Sequence, residues 1–129
     1  MTYTRTIPIE FAHCDPAGIV FYPRYVEMAQ NVVETFFSDA LDHPFARIVS
    51  DGGGVPAVTL SVDFKKPARL GERLTWTLDV SHIGRTSIGF ALAAEDRLSV
   101  RITVVWVGPG LTPTPIPDPI RQRLEAHHA

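Results

Sequence analysis

The chain has 129 residues, of which 45% are hydrophobic and 20% are charged, and its formal net charge is −2. This length and composition are typical of an ordinary globular protein, so we expect one domain over residues 1–129. The small net charge without a basic block argues against a nucleic-acid partner. No apolar run reaches the ~18 residues of a membrane span and the N-terminus lacks a signal-peptide pattern, which predicts no membrane partner and a cytoplasmic location. The single cysteine excludes an internal disulfide.

The first predicted element is a strand over residues 4–11. Its apolar residues Ile7, Ile9 and Phe11 alternate with other residues, which is the pattern of a strand with one buried face. Pro8 has no N–H group to donate to a neighbouring strand, so we expect this strand at an edge of its sheet.

The one long helical pattern follows, and Pro23 opens it because proline suits the first helical position. From Tyr25 to Leu41 the apolar residues recur at spacings of three and four and cover two adjoining stripes. The polar residues of this helix cover only a narrow arc. We therefore expect a largely buried helix with the rest of the chain wrapped around it.

Residues 42–56 contain the run Gly52–Gly54, and we interpret them as an irregular and flexible connection. Four alternating strands then follow in quick succession, and their short links predict antiparallel neighbours. Their apolar residues lie at positions 58–64, 74–80, 88–92 and 98–106.

The last strand and the tail complete the predicted fold. Val104–Val107 is apolar on both faces, which we interpret as a subunit contact. Asp118 and Pro119 have the pattern of a cap and a first residue, and they predict a short helix to about His127. The fold class is therefore α+β, a five-stranded antiparallel sheet wrapped around one long central helix.

The loop between the first strand and the helix carries the residues with chemical potential. Gly18 permits positive φ and a close approach of backbone. Tyr22 cannot cap the helix as Ser, Thr, Asp or Asn would, so N–H groups of the first turn are free to bind a ligand. The carboxylate of Asp15 together with such an oxyanion site is a minimal apparatus for acyl transfer. The alternative is that Asp15 is a turn residue before Pro16.

Other candidates are weaker. Cys14 is a rival nucleophile, but His13 is adjacent in sequence and points to the opposite side of an extended segment, so Cys14 is a small buried residue by preference. Glu27 near the start of the helix is a candidate base, but we prefer the interpretation that it compensates the helix dipole or belongs to a solvated stripe. No histidine pair has metal-ligand spacing, so no metal is expected. Two basic segments, Lys65-Lys66 and Arg85–Ser87, are candidate phosphate contacts or surface residues for solubility.

Residues 11–25, FAHCDPAGIVFYPRY, resemble the N-terminal motif of the 4-hydroxybenzoyl-CoA thioesterase family of hotdog-fold proteins. The resemblance extends through residues 54–56, the strand over 58–64, Leu74 and the turn at 84–87. It implies the hotdog fold and hydrolysis of an acyl-CoA substrate without a metal or redox cofactor. It also implies a homo-oligomer, in which dimers with sites at the interface commonly pair into tetramers.

The resemblance also assigns roles to single residues. Asp15 matches the catalytic aspartate, and Tyr22 matches the position whose backbone N–H binds the thioester oxygen. The remaining substrate-binding positions implied by the motif are His13, Gly18, Pro23 and Tyr25. The positions where aromatic-acyl members place contacts to the CoA phosphates are Arg85, Thr86 and Ser87.

The sequence therefore predicts an acyl-CoA thioesterase for an aromatic or a short to medium acyl group. Asp15 acts as the nucleophile or as a general base. A first alternative is a non-hydrolytic protein of the same fold that binds acyl-CoA or a small aromatic ligand. A second alternative, a dehydratase or hydratase, requires a histidine on or near the central helix, and residues 23–41 contain none.

Overall fold

The computed structural model describes residues 1–129, and its main feature is a five-stranded antiparallel sheet with a long helix packed across it. The strands are β1 (Tyr3–Pro8), β2 (Ala57–Phe64), β3 (Arg73–Ile83), β4 (Ser87–Ala94) and β5 (Leu98–Val105). The helices are α1 (Tyr22–Asp39), α2 (Phe45–Ser50) and α3 (Asp118–Glu125). None of these helices is both long enough and apolar enough to cross a membrane.

The strand order across the sheet is β1-β3-β4-β5-β2, so β1 and β2 are the two edges. The predicted edge position of the strand that contains Pro8 is confirmed, as are the hairpins β3–β4 and β4–β5. The prediction that β2 and β3 are neighbours is wrong, because β2 pairs with β5. Residues 65–72 cross β5 and β4 instead. Three strand spacings amount to about 14 Å, which is well within the reach of eight residues.

Helix α1 buries one stripe of apolar side chains against the concave face of the sheet. Phe36 and Phe37 are fully buried, and the ring of Phe36 meets the ring of Phe90 on β4 with centroids 5.7 Å apart. The opposite face of the helix, which includes Glu27 and Glu34, is exposed. The prediction of a largely buried helix is thus wrong for this face, since the sheet of one chain covers the helix from one side. The buried residues of α1 are Tyr25, Met28, Ala29, Val32, Val33, Phe36 and Phe37.

The connection over residues 42–56 has more order than the sequence predicts. It contains α2, and Gly54 forms an isolated antiparallel bridge with Val107. A Cβ atom at Gly53 would lie 2.7 Å from the carbonyl oxygen of Val107, so glycine is required there for the close approach of two backbones. The interpretation as a flexible segment is therefore wrong.

The apolar end of the last strand is covered by the chain itself. Trp106 and Val107 are buried, and the N–H of Thr114 donates to the carbonyl oxygen of Trp106 at 2.9 Å. The proline-rich tail thus packs where the sequence predicted a subunit contact, and that interpretation of Val104–Val107 is wrong. Helix α3 follows the tail and begins at Asp118, with Pro117 as its cap residue.

We predict that Phe36→Ala lowers the free energy of unfolding by about 3–5 kcal/mol, because it leaves a cavity between α1 and β4 that the neighbouring rings cannot fill. Urea denaturation followed by circular dichroism measures this change. The matched control is Ser38→Ala on the exposed face of the same helix, with an expected change within about 0.5 kcal/mol. Equal losses in the two variants would contradict the assignment of the core to this stripe.

Candidate active site

The loop between β1 and α1 is a tight hairpin that carries Asp15 back toward the start of the helix. The N–H of Phe21 donates to the carbonyl oxygen of His13 at 2.9 Å, and the N–H of Asp15 donates to that of Ile19 at 3.0 Å. Gly18 closes the turn with φ of 77°, a conformation that favours glycine. Asp15 consequently lies two residue steps, about 7 Å, from the level of Phe21.

The carboxylate of Asp15 serves the turn and still has a free oxygen. Its Oδ1 accepts a hydrogen bond of 2.8 Å from the N–H of Ala17, which is the turn role predicted as the alternative for this residue. Its Oδ2 accepts no hydrogen bond from the chain, and the side chain is half-buried. The turn role and a chemical role are therefore compatible in one side chain.

The helix that follows begins without a side-chain cap, as the sequence predicts. Its cap residue is Phe21, and its first residue is Tyr22, one position before the predicted start at Pro23. The N–H of Tyr22 has no acceptor within the chain, and Pro23 has no N–H. One unpaired donor thus stands at the positive end of an 18-residue helix, where an anionic oxygen is stabilised.

The crossover segment, residues 65–72, forms backbone hydrogen bonds with this hairpin. The N–H of Leu70 donates to the carbonyl oxygen of Gly18 at 3.0 Å, and the N–H of Val20 donates to that of Ala68 at 2.9 Å. The buried hydroxyl of Tyr25 accepts a hydrogen bond of 3.0 Å from the N–H of Ala68. The hydroxyl oxygen of Tyr25 thus accepts from the chain, and its ring lines the cavity beside the start of α1.

A charged network fixes the crossover segment in turn. Arg97 donates to the carbonyl oxygen of Pro67 at 3.0 Å and forms an ion pair with Glu72. Its hydrogen bond to Glu72 is the main cause that lowers the pKa of that carboxyl below its ordinary value. The same hydrogen bond raises the pKa of the guanidinium. Because Arg97 is itself mostly buried, the network is less screened by water than an exposed pair.

An aromatic pocket opens beside the start of α1. The ring of Phe64, at the end of β2, lies 6.3 Å from the ring of Tyr22 and 5.9 Å from that of Tyr25. Sequence reasoning missed Phe64, although an aromatic residue next to Lys65-Lys66 at the end of a predicted strand was a usable signal. The cavity has a volume of about 240 Å³ and is lined by Val20, Tyr25, Phe64, Lys65, Lys66 and Pro67.

His13 faces a different cavity, a groove of about 610 Å³ between β1 and α1 that also contains Arg5 and Asn31. Its Nδ1 accepts a hydrogen bond of 2.9 Å from the N–H of Glu10. The thiol of Cys14 points to the carbonyl oxygen of Glu10 at 3.5 Å and packs against the core. The structure therefore forms no Cys–His dyad here. No group of three or more His, Cys, Asp or Glu side chains is arranged to hold a metal ion.

The turn at residues 84–87 joins β3 to β4, at the far end of β3 from the hairpin of Asp15. At about 3.3 Å for each residue, the length of β3 separates the two by roughly 30 Å. One chain thus does not bring Arg85, Thr86 and Ser87 together with Asp15. Lys65 and Lys66 do line the aromatic pocket, and Lys66 pairs with Asp96 at 2.7 Å.

The chain matches a family model, a relative of known name and solved structures. A family model described as the thioesterase superfamily matches residues 17–96, well over half of the chain. A 1,4-dihydroxy-2-naphthoyl-CoA hydrolase from Synechocystis sp. is 30% identical over 82 residues, which are 62% of this chain and 58% of that protein. The match thus spans less than two thirds of that relative's length.

Solved structures share the whole fold. A 1,4-dihydroxy-2-naphthoyl-CoA thioesterase from Synechocystis superposes with a TM-score of 0.84 at 22% identity and with 96% of each chain covered. A gentisyl-coenzyme A thioesterase gives a TM-score of 0.83 at 22% identity, with 95% of this chain and 99% of that chain covered. These likenesses confirm the predicted hotdog fold.

We predict that Glu72→Gln lowers the melting temperature of the protein by an amount that depends on pH. The pKa of Glu72 is lowered in the folded state, so its pairing with Arg97 stabilises the fold fully above the ordinary value of 4.5 and loses this effect as the pH falls through the lowered value. The melting temperatures of the wild type and the variant should differ most at neutral pH and converge in acid. Thermal melts from pH 7 to pH 3 measure this difference.

The matched control is Glu34→Gln, an exposed helical position whose carboxylate has no ion-pair partner. We expect no pH-dependent gap for that variant. A gap for Glu72→Gln that stays constant across the whole pH range would show that the ion pair does not supply the stabilisation.

Proposed function

The chain belongs to the thioesterase superfamily, and we propose that it hydrolyses an acyl-CoA thioester to the free acid and CoA. The observation that carries this proposal is the unpaired N–H of Tyr22 at the start of α1, beside the hairpin that holds Asp15. Together they supply a donor for a developing oxyanion and a carboxylate within reach of it. The relatives named as CoA hydrolases support the same reaction class.

In the proposed reaction the thioester carbonyl oxygen accepts a hydrogen bond from the N–H of Tyr22. Its developing negative charge is then stabilised by the positive end of the helix dipole. The free Oδ2 of Asp15 either attacks the carbonyl carbon, forming an anhydride that water then cleaves, or removes a proton from the water that attacks. In both routes the bond to sulfur breaks and CoA leaves as a thiolate. A thiolate is a good leaving group, so the site needs no strong general acid.

An aromatic acyl group fits the pocket beside Tyr22, whose lining includes two aromatic rings. The rings of Phe64 and Tyr25 line this pocket, and both offer edge or face contacts to an aryl ring. The relatives named above act on 1,4-dihydroxy-2-naphthoyl-CoA and gentisyl-CoA, which are both aromatic thioesters. We therefore propose an aromatic acyl-CoA substrate, with short or medium aliphatic acyl groups as weaker ones.

We also propose that the protein is a homodimer joined along the free edge of β2. This strand exposes Val58, Leu60 and Phe64 with 57%, 48% and 52% of their surface accessible. One of its edges has no partner in the chain, and an exposed apolar edge of this kind favours pairing with another strand. A second copy of the same strand would pair with the free edge and cover the exposed apolar side chains.

The geometry of this pairing reunites the two parts of the predicted site. Ala57 pairs with Val104, which also pairs with Ile88, so the turn at 84–87 lies at the Ala57 end of the sheet. Asp15 lies at the Phe64 end, near the crossover segment. Two antiparallel copies of β2 place the Ala57 end of one copy against the Phe64 end of the other. The turn of each copy then serves the hairpin of its partner, and tetramers would be pairs of such dimers.

We predict that Asp15→Asn lowers kcat by about 10²–10⁴, the range for a positioned acid or base, and leaves the fold intact. Asparagine retains the Oδ1 that accepts from Ala17, so the turn is kept while the reactive oxygen is lost. Thiol release from a panel of aromatic and aliphatic acyl-CoA thioesters measures the effect. Near-full turnover in the variant would contradict the role of Asp15. Saturable binding of the panel without thiol release by the wild type would instead identify a non-hydrolytic binding protein.

We predict that the wild type is a dimer or a larger oligomer at micromolar concentration and that Leu60→Glu converts it to a monomer. A carboxylate at the middle of β2 places like charges near each other across the paired edges. Light scattering after size-exclusion chromatography measures the mass. The control is Val49→Glu, an exposed apolar position on α2 with 67% of its surface accessible, which lies off the sheet edge. A monomeric wild type, or an unchanged mass for Leu60→Glu, would contradict this interface.

A further inference from the structure

The turn at residues 84–87 has an unusual distribution of backbone hydrogen bonds. The carbonyl oxygens of Gly84, Arg85 and Thr86 all accept hydrogen bonds from the C-terminal part of the chain. The donors are Arg121 Nη2 to Gly84 at 2.7 Å and to Arg85 at 3.2 Å, Ile116 N–H to Arg85 at 3.0 Å, and Trp106 N–H to Thr86 at 2.6 Å. In contrast, the N–H groups of Arg85 and Thr86 donate to no atom of the chain.

This distribution makes the turn suited to an anion. The acceptor ends of its peptide groups are occupied, whereas two donor ends remain free. Successive unpaired N–H groups in a turn form a concavity that binds anions, and the exposed guanidinium of Arg85 adds a full positive charge. The phosphates of the CoA nucleotide are the anions that the proposed substrate brings to this end of the sheet.

Arg121 is the side chain that holds this arrangement. It lies on α3, which packs against β3, and its half-buried guanidinium reaches two successive carbonyl oxygens of the turn. It has no carboxylate partner among the ion pairs of the chain. Its positive charge is therefore not neutralised locally and adds to the potential at the turn.

We propose that Arg121 is a positioning residue for the binding of the CoA nucleotide. By fixing the carbonyl oxygens of Gly84 and Arg85, it holds the neighbouring N–H groups and the Arg85 side chain toward the phosphates. It sets the affinity for the nucleotide part of the substrate and takes no part in the chemistry at the thioester. This proposal rests on the thioesterase function proposed above.

The chain contains a matched control for this role. Arg123 lies two residues further along the same helix and also donates to a backbone carbonyl oxygen, that of Leu41, at 2.6 Å. This contact ties α3 to the end of α1 and does not involve the turn. Loss of Arg123 therefore reports what the loss of an arginine brace on α3 does to the fold alone.

The experiment compares two thioesters of one acyl group, the CoA thioester and the N-acetylcysteamine thioester, which lacks the nucleotide. For Arg121→Gln we expect KM for the CoA thioester to rise about 10-fold, the scale of one hydrogen bond to a charged group, with kcat unchanged. The kinetic constants for the N-acetylcysteamine thioester should change less than about twofold. Arg121→Lys, which keeps the charge and one donor, should recover part of the loss. Arg123→Gln should show no difference between the two substrates.

Equal losses for both substrates in Arg121→Gln, or no loss for either, would overturn the proposal and leave Arg121 a purely structural residue. If Arg121→Gln does not fold, Arg121→Lys is compared with Arg123→Gln on the same two thioesters. If the wild type hydrolyses neither thioester, this result contradicts the proposed thioesterase function but does not test the role of Arg121. Calorimetric titration with free CoA then tests it directly, since weaker binding by Arg121→Gln than by Arg123→Gln supports the brace and equal binding refutes it.

Discussion

The candidate site depends on one buried hydrogen bond, from the N–H of Ala68 to the hydroxyl of Tyr25. Tyr25 lies in the first turn of α1, and Ala68 lies in the crossover segment. The bond therefore fixes the start of the helix against the segment that also holds Gly18 and Val20. A buried donor without this acceptor would carry an uncompensated desolvation cost, so the contact is strongly specified. The free N–H of Tyr22 and the hairpin of Asp15 take their relative positions from it.

The elements of this fold were predictable where their signals are local. Alternation along β3, β4 and β5, the absent donor of Pro8 and the absence of a side-chain cap at the start of α1 are each properties of a few adjacent residues, and the structure agrees with them. The pairing of β2 with β5 was not predictable from the length of a link, because eight residues reach a neighbouring strand or a distant one equally well. The tail that covers Trp106 is a contact of the same non-local kind.

The difference between local and long-range contacts also explains which site residues were predictable. Asp15, Gly18 and Tyr22 lie in one short hairpin, so sequence spacing was enough to propose that they meet. The residues that sequence reasoning missed act across long separations: Phe64 reaches the helix start from β2, Arg97 reaches Pro67 from the β4–β5 turn, and Arg121 reaches Gly84 from α3. No local sequence pattern indicates such contacts, since each depends on the tertiary arrangement of the sheet and the helices.

The separation between the hairpin of Asp15 and the turn at 84–87 is the chemical argument for the proposed dimer. A single chain carries the proposed acyl-transfer residues at one end of its sheet and the proposed nucleotide contacts at the other, too far apart for one substrate. In the proposed dimer a two-fold axis through β2 exchanges these ends, and each substrate is then held by two copies. Under these proposals α3 and the β3–β4 turn recognise the nucleotide, whereas α1 and the crossover segment position the catalytic groups. Because the side-chain hydrogen bonds of Arg121 go only to the turn at 84–87, we expect substitutions at Arg121 to change affinity without disturbing the geometry around Asp15.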